Sequence, residues 1–109
     1  MTLMIGRRHW MKIEQVPTFK RNVKRLKRKH YDIERLKEVV KLIVENNVAE
    51  LKRKHKLGII KGTHPTVWYV HVDRNYNDDW VLCYRIENDR LLLLLTTGGH
   101  EVLKHIPDD

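Results

Sequence analysis

Trp80-Val81-Leu82-Cys83-Tyr84-Arg85-Ile86 and Arg90-Leu91-Leu92-Leu93-Leu94-Leu95-Thr96-Thr97, joined by Glu87-Asn88-Asp89, decide the fold. Aromatic, β-branched and leucine side chains fill both flanks, and the three polar residues between them predict a tight hairpin. Five consecutive leucines, Leu91 to Leu95, predict a central strand covered on both faces. Gly98-Gly99 ends that strand and permits a sharp turn, which would expose His100 at the sheet's edge.

Upstream, Thr66–Val72 reads as a third strand, with Asn75-Tyr76-Asn77-Asp78 as the turn into the hairpin. Before it, residues 48–65 form a basic connector containing Gly58, Gly62 and Pro65. Earlier still the hydrophobic period changes from two to that of a helix. Ile33, Leu36, Val39, Val40, Ile43 and Val44 repeat every 3.6 residues, Asp32 is a good N-cap, and Asn46-Asn47 a good stop. Phe19, Val23 and Leu26 mark one stripe of a preceding helix, with Pro17 ending a strand and Thr18 as N-cap. Met11–Val16 alternates apolar and polar residues as a half-buried strand does.

The resulting expectation is one α+β domain over residues 1–109, with residues 1–10 an extended or flexible N-terminal segment. It comprises an N-terminal strand, an antiparallel helix hairpin, then a three-stranded antiparallel meander with the helices on one face.

The net charge of +8 is unevenly placed. Residues 1–61 hold 18 Lys/Arg against 6 Asp/Glu, whereas residues 62–109 hold 4 against 8. A basic half of this density attracts polyanions through counterion release, although a solvated helix face is the bland alternative. Lys20, Arg21, Lys24, Arg25, Lys27 and Arg28 crowd the first helix, and Lys52, Arg53, Lys54 and Lys56 the connector. The single cysteine, Cys83, excludes an intramolecular disulfide and favours a reducing compartment. The start of the chain lacks a signal-peptide core, and no apolar run is long enough to span a membrane, so a soluble, cytoplasmic protein is expected. Zinc is disfavoured: no Cys-x-x-Cys or His-x-x-x-His spacing occurs, and no other cofactor is signalled.

The order strand, helix hairpin, meander resembles that of the RelE superfamily of toxins, and several strings are similar to its YafQ-like branch. Phe19-Lys20-Arg21-Asn22-Val23-Lys24-Arg25-Leu26 looks like the family's first helix, and His55-Lys56-Leu57 like its His-x-Leu element. His71-Val72, then Asp79-Trp80-Val81-Leu82-Cys83-Tyr84-Arg85, resemble its paired strands, and Thr97-Gly98-Gly99-His100 its terminal Thr-Gly-[Ser/Thr]-His.

The resemblance covers roughly residues 11–104. It implies a toxin of a type II toxin–antitoxin system that cuts messenger RNA on the ribosome without metal or cofactor. An acidic antitoxin would neutralise it as a hetero-oligomer. It also maps the family's active-site histidines and acid onto His55, His71, Asp79 and His100. The bland alternatives are incidental strand and loop histidines, and an aspartate that merely ends a turn.

Three positions depart from the pattern. Thr96 stands where an arginine is usual, Lys104 where an aromatic is common, and Tyr69 where an acidic residue is common. Arg85, Lys104 or Lys56 are the candidates to replace the missing cation. Such departures keep two rivals in view, a RelE-like RNA-binding domain without cleavage and an unrelated basic nucleic-acid-binding module.

Overall fold

The computed structural model describes residues 2–5, 9–73 and 79–107, with residues 2–5, 9 and 10 as backbone only. Six strands form one sheet in the order β1-β2-β6-β5-β4-β3. They are β1 (Thr2–Ile5), β2 (His9–Gln15), β3 (Gly58–Ile59), β4 (Trp68–His71), β5 (Val81–Glu87) and β6 (Leu91–Gly98). Three helices, α1 (Pro17–Arg28), α2 (Ile33–Val44) and α3 (Val48–His55), precede β3, and a 3-10 helix at His100–Lys104 follows β6.

The expected meander is present as β4, β5 and β6, each antiparallel to the next. Asn88 and Asp89 close the β5–β6 hairpin with φ of 52° and 56°, the left-handed pair that matches the twist of two strands. β2 joins the other side of β6 in parallel, Ile13 opposite Leu92, so β6 lies inside the sheet. Leu92, Leu94 and Leu95 are buried there while Leu91 and Leu93 are only half covered, so the strand is central but unequally shielded. The expected turn at Asn75-Tyr76-Asn77-Asp78 lies outside the described residues.

The helix hairpin forms as its periodicity requires. Phe19 and Leu26 on α1, and Leu36, Val39, Val40, Ile43 and Val44 on α2, are the buried faces. Asp32 caps α2 by accepting a hydrogen bond from Glu34 N at 3.1 Å, and Asn46 leaves it with φ of 55°. Thr18 does not cap α1. Val16 holds the N-cap position and Pro17 the first helical one, where its missing N–H costs nothing. Thr18 Oγ1 instead accepts from Arg21 Nη2 at 3.1 Å.

One further expectation needs correction. Residues 48–65 are more than a connector: Asn47 caps α3, accepting from Glu50 N at 3.3 Å, and Gly58–Ile59 adds a short edge strand to β4. Leu51 is the one buried side chain of α3, too little periodicity for the helix to announce itself. Within residues 1–10, Thr2–Ile5 pairs antiparallel with β2, Leu3 opposite Met11.

Thr96 is buried, and its hydroxyl donates to Asn22 Oδ1 at 2.7 Å. The same oxygen accepts from Thr97 N at 3.2 Å, so one α1 side chain pins that helix to the end of β6. Thr97 Oγ1 in turn donates to Val81 O at 2.8 Å and accepts from Trp80 Nε1 at 3.0 Å. Hydroxyls, indole N–H and carbonyls in this buried knot are partnered, as burial requires. The C-terminal end of β6 is thereby anchored firmly to both α1 and β5.

Candidate active site

Four elements end at one rim of the sheet. His55 is the last residue of α3, His71 the last of β4, Asp79 lies just before β5, and His100 opens the 3-10 helix after β6. Strand ends meet here because β4, β5 and β6 are in register: His71 lies opposite Val81, and Val81 opposite Gly98.

Side-chain contacts link three of the four residues. Asp79 Oδ1 lies 2.6 Å from His100 Nδ1 and also accepts from His100 N at 3.1 Å. A carboxylate oxygen can only accept, so Nδ1 carries the proton and the Nε2 of neutral His100 holds the lone pair. That Nε2 faces His71 Nε2 at 3.1 Å, which makes His71 Nε2 the donor when both rings are neutral. The backbone hydrogen bond from His100, then the one from its ring, hold the Asp79 carboxyl below the usual aspartate range.

His55 joins them differently. Its Nδ1 donates to the carbonyl oxygen of His71 at 2.8 Å. The ring is half-buried beside a cleft of about 560 Å³ that Arg35, Glu50, Lys54 and Asp73 help to line. Lys56 follows in the left-handed conformation, with φ of 46°, and turns the chain out of α3 into β3.

Glycine at 99 permits the Asp79 contact. A Cβ there would stand 3.0 Å from Asp79 Oδ2 and collide with the Glu101 carboxylate. The Gly-Gly pair predicts the turn from sequence, but not this close approach. Tyr69, on β4, sets its ring edge-on to His71 at a centroid distance of 6.0 Å.

The cations expected to bind RNA fall into distinct sets. On α1, Lys20, Arg21, Lys24, Arg25, Lys27 and Arg28 are all exposed. On α3, Lys52 is exposed, while Arg53 and Lys54 both pair with Glu50. Arg85 pairs with Glu87 at 3.1 Å, and Lys104 is exposed on the 3-10 helix. Arg25 lies beside the turn before His100, its Nη2 standing 3.7 Å from where a Cβ on Gly98 would be. Among the described residues, no three His, Cys, Asp or Glu side chains are grouped to hold a metal ion, and no helix is long and apolar enough to cross a membrane.

A hydrogen-bonded histidine pair backed by a carboxylate, set in a basic α+β domain, defines a class: small cationic proteins equipped to move protons at a polyanion. Residues 11–105 match the family model of YafQ, the bacterial toxin of type II toxin–antitoxin systems, and the chain belongs to that family. The mRNA interferase toxin YafQ of Escherichia coli strain B / BL21-DE3 is 31% identical over 93 residues, covering 84% of this chain and 92% of the relative. The crystal structure of the E. coli DinJ–YafQ toxin–antitoxin complex superposes with a TM-score of 0.70 and 28% identity, covering 85% of this chain and 96% of that one. A metal-bound toxin from Helicobacter pylori superposes at 0.69 with 26% identity, covering 85% and 98%.

Proposed function

We infer that the protein is a cytoplasmic, ribosome-dependent endoribonuclease that cuts messenger RNA by histidine acid–base chemistry. The Asp79–His100–His71 relay carries this reading. The naming of its E. coli relatives as mRNA interferases agrees with it.

Cleavage begins when the 2′-hydroxyl attacks the adjacent phosphorus. Its proton passes to His100 Nε2, the nitrogen left basic by the Asp79 contact. A 2′-O–P bond forms and the P–O5′ bond breaks. The departing 5′-oxygen takes the Nε2 proton of His71, which enters the step as the imidazolium and leaves it neutral, giving a 2′,3′-cyclic phosphate and a 5′-hydroxyl. All protons move between substrate and protein, so no step calls for a metal. In-line displacement puts nucleophile and leaving group on opposite sides of phosphorus, so substrate must part the two Nε2 atoms from their 3.1 Å contact. Catalytic hydrogen bonds often tighten or shift only with substrate bound.

Asp79 acts as a positioning residue: it fixes the tautomer and orientation of His100 and stabilises the imidazolium that forms. His55 holds the His71 segment from the other side. The exposed cations of α1, with Lys52 and Lys56 of the α3 end, hold ribosomal and messenger phosphates. The partner is an acidic antitoxin. It matches the groove between α1, α2 and β6, where Phe19, Val23, Leu36 and Val40 are framed by Lys27, Lys37 and Lys41. Apolar floor and cationic rim together fit an acidic amphipathic helix.

Induced expression in a bacterial host tests the reading. Growth arrest with cleaved messages is expected from the wild type, and neither from His100→Ala. A His100→Ala chain that arrests growth equally would remove His100 from the mechanism. Tight RNA binding without cleavage by the wild type would favour the binding-only rival.

A further inference from the structure

We propose that Arg25 of α1 supplies the positive charge that stabilises the phosphorane during cleavage, a role resting on the nuclease reading above. The pentacoordinate phosphorus gains negative charge as the 2′-oxygen attacks, and that charge needs a preorganised cation or donor. His100 enters as the neutral base, Asp79 is an anion, and the charge on the His71 donor departs with its proton as the P–O5′ bond breaks. A cation that keeps its charge throughout the step comes from a neighbouring element.

Among the described residues, three of the expected cations are committed to carboxylates, and Lys56 and Lys104 lack the planar fork that an arginine offers. Arg85 is paired with Glu87, and Arg53 and Lys54 with Glu50. The Thr96 side chain, buried against Asn22, is neutral and turned to structural use. Arg25 has no carboxylate partner among the described residues, and its guanidinium stands over Gly98. Gly98 is on the rung shared with Val81 and His71, and residues directly opposite one another point to the same face of a sheet. The Nη2 group therefore stands beside a position that faces the same way as His71 and lies two residues from His100.

Two features keep it there. Gly98 offers no side chain to displace the guanidinium; a Cβ would press on Val102 at 3.1 Å and narrow the gap to Arg25. Asn22, one turn earlier on the same helix face, clamps α1 to Thr96 and Thr97 through two hydrogen bonds. The same buried knot that occupies residue 96 thus fixes the helix from which the replacement charge extends. A planar guanidinium, always charged and forked, suits two equatorial phosphoryl oxygens better than a lysine would.

Single-turnover cleavage of a defined message on purified ribosomes tests the assignment. Arg25→Ala should lower the rate at saturating ribosome complex by about 10²–10³-fold. The half-saturating concentration should stay within about twofold, since one phosphate contact among many adds little to ground-state binding. Arg25→Lys should recover only part of the rate, and added guanidinium ion should restore part of it to Arg25→Ala. Because residue 25 is exposed, both variants should melt with the wild type, which circular dichroism checks. An Arg25→Ala enzyme that keeps the wild-type rate, or one that loses only affinity, overturns the proposal. If His100→Ala is inert in that same assay, the nuclease reading survives and only Arg25 falls. A wild type that leaves the message intact removes both.

Discussion

His100 and His55 flank His71, and the protein holds them by different means. His100 commits Nδ1 to a carboxylate and aims Nε2 at the ring of His71. His55 commits Nδ1 to a neutral backbone carbonyl, contacting the segment and not the ring. A charged partner strengthens a hydrogen bond to roughly twice that of a neutral one. A carbonyl fixes direction alone. On the proposed mechanism the contrast separates the histidine that takes the proton from one that braces its neighbour.

The sharpest way to break that contrast is to remove each ring in turn. His100→Ala should cost about 10²–10⁴-fold in cleavage rate, the usual contribution of one acid–base group. His55→Ala removes a neutral hydrogen bond, worth about 1 kcal/mol, and should cost roughly fivefold. Equal losses in a single-turnover assay would mean that His55 takes part in the chemistry.

Asp79→Asn should fall between the two in rate, because it keeps the shape of the backing group and discards its charge. It also has a signature in stability. The folded-state pKa of Asp79 lies below its ordinary value of 3.8, so its stabilising contribution is complete above that value. It is lost as pH falls through the lowered pKa. Wild type and Asp79→Asn should therefore differ in denaturant midpoint near neutrality and converge in strong acid. A gap that persists at the lowest pH would assign the difference to packing.

The smallest expected effect concerns Cys83, the buried thiol of β5, whose pKa burial pushes up to about 12. It should resist alkylation at pH 8 in the folded protein and react at once on unfolding. Rapid labelling of the native chain would show that the sheet beneath the rim opens.

Much of this architecture is legible in the residues, for identifiable reasons. The β5–β6 hairpin and the α2 stripe are visible because burial imposes a period on long segments. α3 is not, because Leu51 is its only buried side chain and a cationic octet reads as a loop. Family strings point to the histidines and Asp79, yet which atoms meet depends on strand register and on the missing side chain at Gly99. Sequence alone offers Lys56, Lys104 and Arg85 for the missing cation. Arg25 stands there as one of many surface charges, since its link to Gly98 runs through an α1–β6 clamp between residues over seventy apart.

The chemistry of the RNA ends formed by the wild-type protein on ribosomes tests the histidine mechanism most directly. Transfer of the 2′-hydroxyl proton to His100 and delivery of the His71 proton to the leaving oxygen predict 2′,3′-cyclic phosphate and 5′-hydroxyl ends. Ends bearing 3′-hydroxyl and 5′-phosphate would contradict it.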